Sequence, residues 1–512
     1  MGFNKMLRVT RCGLRVLTIG TRNPKPVTCN TEHELMSEIF VGDYIAEAKR
    51  ALKNQVLQDA LADLQSRFGR GTALAYQRLP EGPDLRLKAH GIREKAIANL
   101  DVLLETLAAN VRKNGGYVFF AEDSQAALEY CLATARKHNV KLAVKGKSMV
   151  SEEIGLNAAL LENGIEVAET DLGEYIIQLA GERPSHIIAP AIHKNRQDIG
   201  RLFSDKIGIP YTDDPPSLTR AARKALREKF LAADMGFSGC NIACAETGHI
   251  LTVSNEGNIR MSTTMPRVHV AIMGMERVAA RLEDHDVLLR LLCRGAAAQN
   301  MGTYASYIGG PRYADQVDGP DEFHLVILDN GRSRILADPE FREMLYCIRC
   351  AACLNVCPVY GKIGGHSYGH PYSGPVGAVV LPLLVGINAA RHLCQGETLC
   401  GACQDACPVN IDLPRMLLAL RSKLADGDPD WGVTRVNRTE KAVFKMWSWI
   451  IRNRQAYEVF LRVAAFGQKM FPQKDGMVRW LPPPVNGWTR ERDIKPLAGE
   501  SFMKRWKKGD FS

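Results

Sequence analysis

What the sequence lacks narrows the class of protein. No uninterrupted apolar stretch reaches the roughly eighteen residues that a membrane-spanning helix needs. Residues 378–390 come closest, but they are too few and include Pro382, so they predict a buried helix. The N-terminal segment has no acidic residue before Glu32, yet it also lacks the apolar core of a secretory signal. We therefore expect a cytoplasmic protein rather than an integral membrane or exported one.

The basic segment 1–36 allows two interpretations. Its charge suits a short targeting arm, whereas amphipathic patterning begins only after Met36. We favour translation from an upstream start, with Met36 as the true beginning. Segment 1–36 is then an extension outside the folded protein.

Tryptophan is absent from the first 430 residues, and all six tryptophans follow. Residues 431–512 also hold 17 Lys and Arg against 7 Asp and Glu, which equals the net charge of +10 of the whole chain. This imbalance predicts a separate basic, Trp-rich C-terminal region at 426–512. Its interleaved basic and aromatic residues fit peripheral membrane contact, docking to an acidic redox partner, or packing of the tryptophans onto the body. No nucleic-acid-binding module accompanies them, so we expect no nucleic acid partner.

Strand-like and helix-like segments alternate between residues 116 and 335. The strand-like segments are YVFFA, KLAV, IEVAET, SHIIAP and FHLVILDN. Ser151 is expected to cap the helix that follows KLAV. The alternation predicts an α/β domain with a mostly parallel sheet covered by helices. Residues 37–115 are predicted to be helical and carry no chemical motif.

Two weaker signals lie in the α/β region. Lys145-Gly146-Lys147-Ser148 is not a phosphate-binding loop, because Lys141 stands where that motif requires glycine. An anion-binding turn and a solvated turn both remain open for it. Residues 254–258 and 262–264 are polar segments beside strands, which suits either a small-molecule pocket or tight turns.

Eight of the fourteen cysteines fall between Cys347 and Cys407, which indicates metal binding rather than disulfides. The first run has the spacing C-x2-C-x2-C-x3-C-P and consists of Cys347, Cys350, Cys353 and Cys357. The second run contains Cys400, Cys403 and Cys407, but Glu397 stands where its first cysteine is expected. Cys394, three residues earlier, is the candidate replacement.

In ferredoxin runs of this kind, three cysteines bind one [4Fe–4S] cluster and the fourth serves the other cluster. One predicted ligand set is Cys347, Cys350, Cys353 and Cys407. The other is Cys357, Cys400, Cys403 and Cys394. The alternative is a zinc site, which needs only four thiolates and leaves the other cysteines without a role. The two clusters predict one-electron transfer from a ferredoxin-like domain at 336–425.

Longer stretches extend the pattern beyond the cysteines. They are KSMVSEEIGLNAALLENGIEVAETDLGEYIIQLAGERPSHIIAPAIHK, AETGHILTVSNEGNIRMSTTMPRVHVAIMGMERV, CIRCAACLNVCPVYGKIGGHSYGHPYSGPVGAV and LCGACQDACPV. From about residue 40 to its C-terminus, the chain resembles the lactate utilization iron–sulfur protein family. The segment before Met36 departs from that family's pattern.

The resemblance implies an α/β lactate-utilization domain similar to CoA transferases and sugar-phosphate isomerases, an α-helical ferredoxin-like insert and a family-specific C-terminal region. It implies cluster ligands at seven cysteines: Cys347, Cys350, Cys353, Cys357, Cys400, Cys403 and Cys407. It also implies two partner subunits, one cysteine-rich and one with a small lactate-utilization domain.

We therefore expect an iron–sulfur electron-transfer subunit of a complex that oxidises L-lactate to pyruvate, with no catalytic residue assigned. No flavin fingerprint G-x-G-x-x-G follows a strand in this chain. One alternative is the same role for a different 2-hydroxy acid or a reductase. Another is a ligand-binding module whose cluster acts as a sensor.

Overall fold

The computed structural model describes residues 9–10, 13–14, 43–434, 438–483, 485–489 and 492–509. The predicted start at Met36 lies outside these residues, as does most of the extension before it. The chain divides into two compact units. The first comprises Met1–Leu424 and Pro429–Val433, and the second comprises Ala425–Asp428 and Thr434–Ser512.

In the first unit, Val9–Thr10 pairs antiparallel with Gly13–Leu14, and a series of helices between residues 44 and 113 ends shortly before the first long strand. Asp43 caps the first of them by accepting a hydrogen bond from the Ile45 N–H at 2.9 Å. Their apolar faces are buried, with Leu61, Leu107 and Val111 fully enclosed. The helices are Tyr44–Lys53, Gln55–Leu64, Arg70–Gln77, Gly82–Ala98 and Leu100–Lys113, with a π-helical turn at Gln65–Gly69.

Ten strands follow in the α/β region. They are β1 Tyr117–Ala121, β2 Leu142–Lys145, β3 Glu166–Glu169, β4 Met235–Gly239, β5 Ile242–Cys244, β6 Ile250–Ser254, β7 Val268–Gly274, β8 Val278–Ala279, β9 Tyr304–Ile308 and β10 Glu322–Leu328. Six form one sheet in the order β1-β10-β7-β4-β2-β3, with every pair parallel. The strands are largely apolar because both faces of such a sheet are covered by other elements. The predicted mostly parallel sheet is thus confirmed.

The remaining strands form a smaller sheet in the order β8-β5-β6-β9. Helices occupy the connections of both sheets. They are Ser124–Lys137, Met149–Glu153, Leu156–Glu162, Leu172–Ala180, Arg196–Ile207, Pro215–Ala232, Asn258–Thr264, Leu282–Ala297 and Arg332–Ala337.

Two local predictions are wrong. SHIIAP forms turns rather than a strand, since the His186 Nδ1 accepts the N–H groups of Ile188 and Ala189 at 3.0 and 3.1 Å. Ser151 does not cap a helix. Ser148 is the cap, accepting the Ser151 N–H at 3.3 Å, because Ser148 has the extended backbone that a cap requires.

The cysteine-rich segment is helical. Its elements are the 3₁₀ turns Arg342–Tyr346 and His366–Tyr368 and the helices Ala352–Val356, Tyr360–Ile363, Gly374–Val385, Arg391–Gln395, Ala402–Ala406 and Leu413–Asp426. Gly374–Val385 is almost entirely buried, as predicted for the apolar run around Pro382. One hydrophobic core joins this segment to the N-terminal helices and both sheets, for example through Ile97, Phe323 and Leu354. The cluster region is therefore not packed as an independent body.

The second unit contains the helices Arg438–Arg452, Arg454–Gly467 and Phe502–Lys508 and the 3₁₀ turns Gln468–Met470 and Val485–Thr489. A two-residue ladder pairs Gln473–Lys474 with Met477–Val478. Five of the six tryptophans are exposed, whereas Trp431 is buried in the first unit and donates to Asp338 Oδ2 at 2.7 Å. In the described part of the chain, no helix combines the length and the apolar character needed to cross a membrane.

Candidate functional site

The two cysteine runs fold into loops with the same backbone conformation. Arg349 and Leu399 both have positive φ, at 58° and 56°. Two residues later, Ala351 and Gly401 are again left-handed, at 63° and 85°, and each begins a five-residue helix. Gly401 adopts this conformation without steric cost, whereas Ala351 carries a Cβ that disfavours it. The small side chains at both positions let the backbone lie close to whatever the thiols bind.

The first predicted ligand set comes together in space. A cavity of about 20 Å³ is lined by Cys347, Cys350, Cys353 and Cys407. The Arg349 N–H donates to Cys347 Sγ at 3.4 Å, and the Ile411 N–H donates to Cys407 Sγ at 3.4 Å. Such donors stabilise thiolate charge, so the loop suits an anionic metal–thiolate centre.

The cysteines of the described residues are available for metal binding. All described cysteines are free thiols. Among the described residues, no three Cys, His, Asp or Glu side chains form a group that could hold one metal ion. Four cysteines around one cavity match the number of thiolates that a [4Fe–4S] cluster binds.

Of the second predicted set, Cys357 has two hydrogen-bond contacts at its thiol. The Cys357 thiol donates to Glu397 Oε2 at 3.3 Å, and the Tyr360 N–H donates to Cys357 Sγ at 3.4 Å. Cys403 is buried, whereas Cys400 is exposed. The Tyr368 hydroxyl donates to Glu397 Oε1 at 2.9 Å. Glu397 is therefore a buried carboxylate at this site, although sequence reasoning noted it only as a missing cysteine.

Cys394 is differently placed. Its Sγ lies 3.9 Å from the Ala390 carbonyl oxygen of the preceding turn. Burial raises the pKa of this thiol to about 12. Nothing in the structure tests its role as a ligand, which stays a prediction.

A larger cavity of about 250 Å³ lies at the carboxyl ends of β2, β4 and β7. In open α/β sheets, ligands bind in the crevice at this edge. The residues that follow these strands and line the cavity include Lys147, Ser148, Cys240, Asn241, Glu276 and Arg277. Of the two polar segments noted in the sequence, 254–258 contributes to the wall through Ser254, Asn255, Glu256 and Asn258. Lys145 instead forms a buried ion pair with Glu169 at 2.8 Å.

Arg349 belongs both to this larger cavity and to the first cysteine loop. Its side chain lines the cavity, while its backbone lies between Cys347 and Cys350. Its guanidinium lies 3.6 Å from Glu276 Oε1 and 4.4 Å from the ring centre of Tyr372. The cavity wall and the cysteine loop are thus in direct contact.

Buried charges connect this contact to the sheet. Arg332 pairs with Glu276 at 2.8 Å and with Glu153 at 2.7 Å. Tyr372 donates to Glu153 at 2.6 Å. Burial alone would raise the pKa of Glu153, but the Arg332 guanidinium and the hydrogen bonds outweigh it and hold that pKa at about 2. Glu153 is consequently ionised at neutral pH.

Two cationic groups on the cavity wall have donor atoms without a hydrogen-bond partner in the described residues, although Arg349 Nη2 lies 3.6 Å from Glu276 Oε1. Arg349 Nη1 is buried and lacks a hydrogen bond, and the Lys147 ammonium forms no ion pair or hydrogen bond there. By contrast, Arg277 donates to the Cys347 carbonyl at 2.8 Å and to the Asn241 carbonyl. The lining also includes the carboxylates of Asp171, Glu256 and Glu276, so charged groups of both signs line the cavity.

Comparison with known proteins assigns the three regions. Residues 104–328 match the LUD domain family, residues 343–411 match the 4Fe-4S dicluster domain, and residues 433–510 match the family "Lactate utilisation protein B, C-terminal". The matched dicluster domain indicates that the cofactors are two [4Fe–4S] clusters.

Whole-chain relatives agree with these assignments. "Lactate utilization protein B" of Oceanobacillus iheyensis is 42% identical over 463 residues, which cover 90% of this chain and 95% of the relative. "Uncharacterized electron transport protein YkgF" of Escherichia coli is 40% identical and covers 91% of this chain and 96% of its own. A DUF162 family protein of Deinococcus radiodurans has a solved structure that covers 45% of this chain and 98% of its own, at 14% identity and a TM-score of 0.26. That structural likeness is too low to carry an argument.

Proposed function

The chain belongs to the lactate utilization protein B family, and on that premise we propose that it is the iron–sulfur electron-transfer subunit of a complex that oxidises L-lactate to pyruvate. Family membership and the dicluster domain give it an iron–sulfur role in lactate utilization. The direction of the reaction and the assignment of the individual ligands are the proposal.

One observation supports the proposal above all others. Arg349 is both a wall residue of the cavity in the α/β domain and the residue between two proposed ligands, Cys347 and Cys350. A reduced group in or over this cavity therefore lies beside the first cysteine loop. The second cysteine set includes the exposed Cys400, which faces solvent and is accessible to an acceptor.

The chemistry sets a requirement on the complex. Oxidation of lactate to pyruvate releases two electrons and two protons, whereas each bound [4Fe–4S] cluster transfers one electron at a time. Two sequential transfers or a flavin on a partner subunit must therefore divide the electron pair. This chain contributes the thiols, the N–H donors to Cys347 and Cys407, and burial of Cys350 and Cys407.

The partners proposed from the family resemblance are a cysteine-rich subunit and a small subunit with a lactate-utilization domain. The second unit offers a surface for one of them. On the helix Arg438–Arg452, Phe444 and Trp449 are exposed beside basic residues such as Lys445. Apolar anchors within a basic surface suit a partner with an acidic surface. Binding to anionic vesicles instead of to the partner subunits would indicate peripheral membrane contact.

A substrate test on the assembled complex checks the proposed function. The chain is purified without oxygen together with its partners, and the visible absorbance of the clusters is followed after adding L-lactate. We expect bleaching with L-lactate and pyruvate formation in proportion to the electrons accepted. Bleaching by another 2-hydroxy acid, with none by L-lactate, would support the alternative substrate. Cluster-dependent partner binding without any reduction would support the sensor alternative.

A further inference from the structure

We propose that Glu397 is the fourth protein ligand of the second cluster, where it binds iron through Oε2 in place of a cysteine thiolate. This inference rests on the proposed two-cluster function and assigns a ligand that the seven cysteines leave open. Cys394 is then a buried thiol rather than a ligand.

The repeat in the chain points to residue 397. The backbone features of the first cysteine loop recur fifty residues later. The residues with positive φ are Arg349 and Ala351 in the first loop and Leu399 and Gly401 in the second, and the short helices that follow are Ala352–Val356 and Ala402–Ala406. The same offset brings Cys347, the first ligand of the first run, to Glu397. The second run is therefore E-x2-C-x2-C-x3-C-P, complete in its spacing and altered only in the chemistry of its first residue.

The side-chain geometry points to the same residue independently. Exchange between the runs pairs Cys407 with the first set, and Cys407 does line the cavity of that set. By the same symmetry, Cys357 must join the second set, and its nearest polar partner there is Glu397 Oε2 at 3.3 Å. Glu397 is 8% exposed, so its carboxylate is turned inward rather than to solvent.

The surroundings hold the Glu397 carboxylate in one orientation. Tyr368 donates to Oε1 at 2.9 Å, which leaves Oε2 directed at Cys357. The Arg421 guanidinium donates to the backbone carbonyls of Cys394 and Glu397 at 2.7 and 2.6 Å and so fixes the loop between them. Hydrogen bonds that orient a metal ligand in this way are typical of built metal sites.

Cys394 has none of these relationships. Its thiol lies against the carbonyl of Ala390, the residue that caps its helix, and in the described residues it makes no hydrogen bond to Cys357, Cys400 or Cys403. The carbonyl of Cys394 is also held by Arg421.

Binding of the second cluster would remove one proton from the pair formed by Cys357 and Glu397. With a cluster bound, Cys357 would be a thiolate ligand, the proton that it shares with Glu397 would leave to solvent, and Glu397 would supply a carboxylate oxygen. Carboxylate oxygen is a harder ligand than thiolate, so it holds iron–sulfur iron less firmly. We expect the iron at Glu397 to be the first to be lost from the chain on exposure to oxidant.

Four proteins test the assignment: the full chain and its Glu397→Ala, Glu397→Cys and Cys394→Ala variants, all purified without oxygen. Iron and acid-labile sulfide are measured per chain, and electron paramagnetic resonance spectra are recorded for oxidised and reduced samples. The spectrum of the first cluster in each variant serves as the internal check on folding. None of these readouts depends on lactate turnover.

We expect about eight iron atoms in the unaltered chain and in Cys394→Ala. Glu397→Ala should lose between one and four iron atoms, and Glu397→Cys should restore them with a changed spectrum and midpoint potential for one cluster only. Full iron in Glu397→Ala, or loss of iron in Cys394→Ala, would overturn the assignment while leaving the proposed function intact. Absence of iron from the unaltered chain would overturn both.

Discussion

The guanidinium of Arg349 lies 3.6 Å from the carboxylate of Glu276, and this contact joins a cysteine loop to the wall of a 250 Å³ cavity. Glu276 follows β7 of the parallel sheet, whereas Arg349 stands between two proposed cluster ligands. The ion pair therefore spans the boundary between the two functional regions of the first unit.

Arg349→Met should slow the reduction of the clusters by the lactate-oxidising complex by about tenfold or more, a loss of about 1.4 kcal/mol in transition-state stabilisation. The substitution removes a cation from the cavity wall but alters no thiol. Iron content should therefore stay unchanged while the rate falls. Arg201→Met, on the exposed helix Arg196–Ile207, is the matched control and should reduce at the normal rate. An unchanged rate of cluster reduction in Arg349→Met would show that this residue of the cavity wall does not contribute to electron transfer.

Cys350→Ser should remove about four iron atoms from each chain, because Cys350 lines the cavity of the first set. It should also lower the melting temperature of the first unit in one transition, since a single core joins the cluster region to both sheets. The control is Cys131→Ser, which alters a fully buried thiol remote from both loops. Iron analysis and calorimetry check the prediction. Full iron in Cys350→Ser would remove this residue from the ligand set.

Glu153→Gln should destabilise the first unit by about 3–5 kcal/mol at neutral pH. The carboxylate is ionised there because its pKa is held at about 2, and its loss leaves the Arg332 guanidinium buried with Glu276 as its remaining partner. Denaturant unfolding of the anoxic protein measures the change. Glu122→Gln alters an exposed carboxylate and should stay within about 0.5 kcal/mol of the unaltered chain. Equal stability of the two variants would contradict a structural role for the buried ion network.

The double substitution Phe444→Ser with Trp449→Ser should weaken binding of the partner subunits by about thirtyfold or more, as expected for loss of interface anchors. Both side chains are exposed on one helix of the second unit, so folding and iron content should be preserved. Tyr313→Ser, exposed in the first unit, is the control. Binding is measured by titration of the anoxic partners. Unchanged affinity would exclude this helix as the docking surface.

Some of the architecture could be predicted from local sequence alone. The parallel sheet was predictable because buried strands such as β7 and β10 are continuous apolar runs between helical segments. The SHIIAP segment was not, since its apolar residues suggest a strand while the His186 side chain binds the backbone N–H groups that a strand would need. The sequence predicted Ser151 as the helix cap, whereas the structure has Ser148. Either serine hydroxyl can accept a capping hydrogen bond, and only the backbone conformation distinguishes the two residues.

The candidate site was predictable in its ligand types but not in its surroundings. Spacing alone grouped Cys347, Cys350 and Cys353 and assigned Cys407 to them, and these four thiols do line one cavity. The contact of Arg349 with the larger cavity depends on tertiary packing between segments far apart in the chain. The spacing of the second run showed that Glu397 occupies the position of a cysteine ligand. That this carboxylate could itself bind iron is indicated only by the structure, in which its Oε2 lies beside Cys357.

The most direct test of the account is the content of iron, acid-labile sulfide and zinc in the chain purified without oxygen. The account predicts about eight iron and eight sulfide atoms per chain with little zinc, as two [4Fe–4S] clusters require. About one zinc atom per chain with little iron would make the cysteines a structural site and would contradict electron transfer through this protein.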